Sequence, residues 1–100
     1  SALGSLAGAK NLVTQFLGAN STQTPKSVAQ ALDQLERVAD ARADGLACFL
    51  VGYAYESGHG RPRDLWRAYD LYADGCRLGD EQCCSAMRRL APLQQPGRAR

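Results

Sequence analysis

Apolar residues in this chain recur every three or four positions, and no stretch alternates in the two-residue rhythm of a strand. Glycine, proline and aspartate cut these stretches into five. Segment 3–18 carries Leu3, Leu6, Val13, Phe16 and Leu17, with Gly4, Gly8 and Gly18 weakening the helix they mark. A polar loop, Asn20 to Thr24, leads to Thr24-Pro25, which reads as a capping residue followed by proline at the first helical position. Val28, Leu32, Leu35 and Val38 or Ala39 form the second stripe, and Gly45 reads as the break or C-cap after it. A third, strongly apolar helix over 46–57 ends at Gly58, and Gly58 to Arg63 is a glycine- and proline-rich loop. Asp64 is a candidate cap for a fourth helix bearing Leu65, Tyr69, Tyr72 and Cys76, stopped by Gly79. Asp80 opens a fifth, which carries Cys83 or Cys84, Met87 and Leu90 and ends at Pro92. The tail, 94–100, is polar and expected to be loose. Five helices with short connections make an all-α chain.

A length of 100 residues fits one domain, and 45% hydrophobic content supplies a core of limited stability. A net charge of +2 with mixed signs lacks the clustered basic face of a nucleic-acid binder. No apolar run reaches the length of a membrane span, and no charged-then-apolar leader opens the chain. Composition leaves Cys48, Cys76, Cys83 and Cys84 open between disulfides in an oxidising compartment and small buried hydrophobes in a reducing one.

A shift of 36 residues lays Cys84 on Cys48, Asp80 on Asp44, Leu71 on Leu35 and Ala68 on Leu32. Gly52 sits inside a helix, where glycine costs about 1 kcal/mol relative to alanine, which points to a neighbouring backbone close by. Residues 47–79 supply Cys48, Val51-Gly52, Tyr55, Gly58 and Gly60, Asp64, Arg67-Ala68, Tyr72, Gly75-Cys76 and Gly79 at unbroken spacing. This pattern resembles a Sel-1-like repeat, a relative of the tetratricopeptide repeat. Arg61 stands where that family prefers valine, and Leu71 takes a frequent aromatic position. The resemblance implies antiparallel helical hairpins stacked as a short α/α solenoid. Its units would be a degenerate repeat over 9–44, a Sel-1-like repeat over 45–79 and a capping helix over 80–91, within one domain, 1–93.

The cysteines resemble those of an exported, cysteine-rich bacterial subset of the family. That resemblance implies a Cys48–Cys76 bridge stapling the two helices of the repeat, worth roughly 3–4 kcal/mol by loop closure. Cys84 would then open a following repeat, and Cys83 has no counterpart. The expected location is extracytoplasmic, periplasmic or secreted.

Catalytic groupings are sparse. His59, the one histidine, lies in the Gly58–Gly60 turn and reads as an exposed turn residue with no nucleophile assigned to it. The cysteines lack a Cys-x-x-Cys pair, so neither a metal nor another cofactor is expected. Asp33, Glu36, Asp40 and Asp44 read as a solvated helix face. Arg88 and Arg89, with Arg98 and Arg100, read as cations near a helix end. Tyr69 and Tyr72 are expected in the core and Trp66 only partly packed. If Cys48, Val51, Gly52 and Tyr55 face the second helix, then Phe49, Tyr53 and Glu56 form another stripe, equivalent under the shift to Val13, Leu17 and Asn20. With first helices lining the concave side, as the resemblance implies, Phe49, Tyr53, Glu56, Leu17 and Arg89 are the expected partner-binding residues, the alternative being that Phe49 and Tyr53 simply pack against the first unit. The expected function is non-catalytic: an envelope or secreted adaptor holding another protein. The alternatives are an immunity-type inhibitor of a toxin or secreted enzyme, an enzyme acting on β-lactam or cell-wall ligands, and a cytosolic metal-dependent domain.

Overall fold

The computed structural model describes residues 5–19 and 21–94. Five α-helices follow one another: α1 (Leu6–Gly18), α2 (Lys26–Asp40), α3 (Gly45–Ser57), α4 (Leu65–Arg77) and α5 (Glu81–Leu90), with a 3-10 turn over Ala91–Gln94. The described residues include no strand. Leu3, Gly4 and Asn20, and the tail from residue 95 with Arg98 and Arg100, lie outside the described residues.

Side-chain caps set four of the helix starts. Ser5 Oγ accepts from the Gly8 amide, and the carboxylates of Asp44, Asp64 and Asp80 accept from the Ala47, Arg67 and Cys83 amides at 2.9–3.0 Å. The α2 start differs from expectation. Pro25 is extended (ψ 150°), so the helix begins one residue later, at Lys26, and no side chain caps it. Gly45 is likewise no break or C-cap: it is the first residue of α3, behind the Asp44 cap. The turn that ends α2 instead places Arg42 in the left-handed region at φ 54°. Gly58 closes α3 at φ 74°, and its amide returns to the Ala54 carbonyl.

The helices pack as two layers. α1, α3 and α5 lie side by side in one, α2 and α4 in the other, and each helix also packs on its successor in the chain. Leu32 and Leu35 of α2, Ala47, Cys48 and Val51 of α3, Leu71 and Tyr72 of α4, and Cys83 of α5 fill the interior with at most 1% of their surface exposed. Gly52 has the close neighbour expected of it, but that neighbour is a side chain rather than backbone. A methyl carbon there would stand 2.7 Å from the Tyr72 ring.

The 36-residue register holds from α2 onward. Leu32, Leu35 and Ala39 of α2 recur as Ala68, Leu71 and Gly75 of α4, and Ala47, Leu50 and Ala54 of α3 recur as Cys83, Ala86 and Leu90 of α5, all buried. Helix α1 is two residues out of step. Its buried Ala9, Val13 and Phe16 correspond to Ala47, Val51 and Ala54, so Val13 is a core residue rather than the equivalent of Phe49.

The disulfide pairing differs from the expected one. Cys76 is joined to Cys84, while Cys48 and Cys83 are free and buried. Cys48 points into the interior, where its thiol lies 3.8 Å from the Ala39 carbonyl at the end of α2, and it is not bridged to Cys76. Cys76 stands at the α4 border that receives α5 across the Leu78–Asp80 turn, eight residues from Cys84. The bridge therefore ties α4 to the next helix and leaves the α3–α4 hairpin to side-chain packing. Cys84 is not an unpaired opener of a missing repeat.

Candidate functional site

The five expected binding residues stand on α1, α3 and α5, the layer of first helices. Helix α3 is apolar on nearly every side, so once Cys48, Val51 and Gly52 are buried it still has aromatic residues left to present. Phe49 and Tyr53, one turn apart, stack with ring centroids 6.3 Å apart, and Phe49 also leans on Tyr72 at 5.9 Å. Phe49 is half-buried, whereas Tyr53 keeps 39% of its surface in water.

A cleft opens on each side of this pair. One, of about 260 Å³, is lined by Thr14, Leu17, Gly18, Phe49, Leu50 and Tyr53, so it brings Leu17 of α1 to the aromatic pair through an almost wholly apolar wall. The other, of about 320 Å³, lies between Phe49 and the α5 residues Glu81, Gln82, Ser85, Ala86 and Arg89.

Glu56 and Arg89 also reach this layer, but they spend their charges on each other. Arg89 Nη1 and Nη2 both donate to the Glu56 carboxylate, Nη2 at 3.1 Å, and the Tyr72 hydroxyl donates to the same carboxylate at 2.7 Å. The Arg89 bond and the Tyr72 hydroxyl hold the Glu56 pKa low against burial, while burial and the Glu56 bond push that of Tyr72 up. Glu56 thus joins α3, α4 and α5, and acts as structural support at the edge of the face more than as a free contact.

On the opposite layer Asp33 and Asp40 of α2 are exposed, as a solvated face requires, but both also pair with arginines, and Glu36 and Asp44 are largely withdrawn from water, which corrects the reading for those two. Glu36 accepts from Tyr55 Oη at 2.7 Å, Arg61 Nε at 3.0 Å and Arg67 Nη2 at 2.8 Å. Asp33 pairs with Arg61, Asp40 with Arg67, and Asp44, besides its cap, with Lys10 at 2.6 Å. The Arg67 guanidinium lies 5.6 Å from the Tyr55 ring centroid. Arg61 ties the α3–α4 loop to α2 through Asp33 and Glu36. Sequence reasoning missed this network, because a carboxylate row at helical spacing looks the same whether water or arginine faces it.

The network has a pH consequence. Burial raises the Glu36 and Asp44 pKa values, but hydrogen bonds from Arg67, Tyr55 and Arg61, and from Lys10 and the Ala47 amide, outweigh it and hold both low. Carboxylates with lowered folded-state pKa contribute stability that is complete above their unfolded values and lost as pH falls through the folded ones. Urea midpoints are therefore expected to hold down to about pH 5 and fall below it, with a shallower fall in Glu36→Gln. An equally steep acid slope in that variant would remove Glu36 from the account.

His59 is half-buried rather than fully exposed. Its Nε2 donates to the Ser21 carbonyl at 2.8 Å, and its ring sits 4.4 Å from that of Phe16, so the α3–α4 turn docks on the first hairpin. Tyr72 is fully buried as expected, Tyr69 only half so, and Trp66 is 52% exposed. Among the described residues no cluster of three or more histidine, cysteine or acidic side chains is placed to hold a metal ion. Nor is any described helix long and apolar enough to cross a membrane. Comparison with protein-family models, with curated proteins and with solved structures finds no match to this chain.

Proposed function

We propose that this chain is a non-catalytic protein-interaction module of Sel-1-like type, holding a partner protein on the face of α1, α3 and α5. The observation that carries the reading is the Phe49–Tyr53 stack. Phe49 borders both clefts, and Tyr53, stacked on it, lines one of them and keeps 39% of its surface exposed. An amphipathic ring with a firm backing and open flanks is the kind of side chain that contributes most to protein interfaces. The repeat register and the Gly52–Tyr72 contact support the Sel-1-like assignment. The Cys76–Cys84 bridge supports a location outside the cytoplasm, where disulfides persist.

Tyr53→Ala tests the proposal. Little packing is lost at so exposed a position, so the melting curve should stay within ~0.5 kcal/mol of the parent, typical of surface changes. Partner binding should weaken at least tenfold, as removal of a hot-spot aromatic costs 2 kcal/mol or more. A photo-crosslinking residue at position 53 should capture the partner in the native source, and one at position 66, on α4, should not. Unaltered binding together with a melted fold, or equal capture from both positions, would sink the assignment.

A further inference from the structure

The two cysteines left out of the bridge border the same glycine at the centre of the molecule. Both are fully buried, Cys48 from α3 and Cys83 from α5, and they meet over Gly75 of α4. A methyl carbon built on Gly75 would stand 2.3 Å from Cys83 Sγ, 3.0 Å from Cys83 Cβ and 2.9 Å from Cys48 Cβ. The two Cβ atoms are therefore no further apart than the sum of two of these lengths, roughly 6 Å, so a small approach of α3 and α5 brings them to the about 3.5–4.5 Å that a disulfide spans. The missing side chain at Gly75 leaves a space that the Cys83 thiol and the Cys48 Cβ share, and a turn of the Cys48 side chain would bring its sulfur there too. Neither sulfur has a strong partner to give up. Cys48 Sγ lies 3.8 Å from the Ala39 carbonyl and Cys83 Sγ 3.6 Å from that of Gly45.

The geometry points to a second disulfide site: Cys48 and Cys83 join when the chain meets a disulfide oxidant, tying α3 to α5 across α4. In the first step a thiolate of the pair attacks one sulfur of the oxidant's disulfide, forming a mixed disulfide and expelling a thiolate. The second cysteine of the pair then attacks its partner's sulfur and expels the other thiolate. The pair loses two electrons and two protons, and the oxidant leaves as two thiols. Burial holds both thiols protonated in the closed fold, with the Cys48 pKa pushed up to about 11, so exchange proceeds while the helices are still assembling or transiently open. The site is independent of the Cys76–Cys84 bridge, whose residues sit one position further along α4 and α5.

The test starts from protein with Cys76–Cys84 closed and two free thiols. It is refolded from urea with glutathione disulfide, and thiols are counted in denaturant. The expected count falls from two to none, with no glutathione retained and a peptide linking Cys48 to Cys83. In Cys48→Ala the same treatment should leave glutathione on Cys83, a readout that does not need the variant to fold. Two thiols persisting in the parent, glutathione remaining on either cysteine, or a new bond running to Cys76 or Cys84 would each overturn the site.

Discussion

Gly75→Ala is expected to destabilise the protein by about 3 kcal/mol, at or beyond the upper end for overpacking one methyl group into a filled core. The added carbon would overlap Cys83 Sγ at 2.3 Å and press on Cys48 Cβ at 2.9 Å. Both neighbours are short side chains fixed on other helices, so relief requires α5 or α3 to move, and α5 is pinned by the Cys76–Cys84 bridge. For a chain of this size the melting temperature should fall by roughly 15 °C. Cys83→Ala removes the worst overlap but leaves two carbons at 2.9 and 3.0 Å, so the double variant should recover part of the loss. The coupling appears in a double-mutant cycle of urea midpoints. A Gly75→Ala protein as stable as the parent, or no recovery in the double variant, would mean the three helices are less tightly apposed than described.

Breaking the Cys76–Cys84 bridge should cost about 2–3 kcal/mol, the value of closing so short a loop in the chain-entropy treatment. Cys76→Ala with Cys84→Ala avoids stray pairing and should unfold at a correspondingly lower urea concentration. The loss is expected to concentrate in α5. Amide exchange there should accelerate more than in α2, because α5 is short and retains Arg89–Glu56 and its buried Cys83, Ala86 and Leu90 as its main holds. Uniform acceleration across all five helices would show instead that the molecule opens as a single unit.

The helices were legible in the sequence because their punctuation is chemical and local. Gly58, Asp64, Gly79 and Asp80 terminate or cap helices by interactions that span three or four residues, and each does so in the structure. The 36-residue register was legible as a recurrence of residue types, but that Asp44 caps α3 as Asp80 caps α5 was not, because Asp44 also fits the acidic row of α2. The cysteine pairing was not. It depends on which border of α4 receives α5 and on Cys48 turning inward, and helical periodicity places a residue on a face without saying what meets that face. The two-residue offset of α1 was hidden as well. The stretch from Phe16 to Leu32 is two residues longer than that from Ala54 to Ala68, and connection length leaves no trace in a side-chain period. On the proposed face, Tyr53 stands exposed as the stripe argument requires and Leu17 shares its cleft. Glu56 and Arg89 proved to be each other's partners, a long-range pairing that residue type alone does not disclose.

The α3–α4 turn acts as a spacer between the two hairpins. Gly60, at φ 85°, brings its backbone so close to Leu32 and Phe16 that an added carbon would stand 2.7 and 3.2 Å from them, while His59 grips the Ser21 carbonyl. The second hairpin is thereby seated on the first through a loop that shares no residue with the Tyr53 face. A single carbon added at Gly60 would be strained at that φ and would turn the Leu32 and Phe16 side chains out of their places, loosening the seat of the loop while leaving every residue on the face chemically untouched.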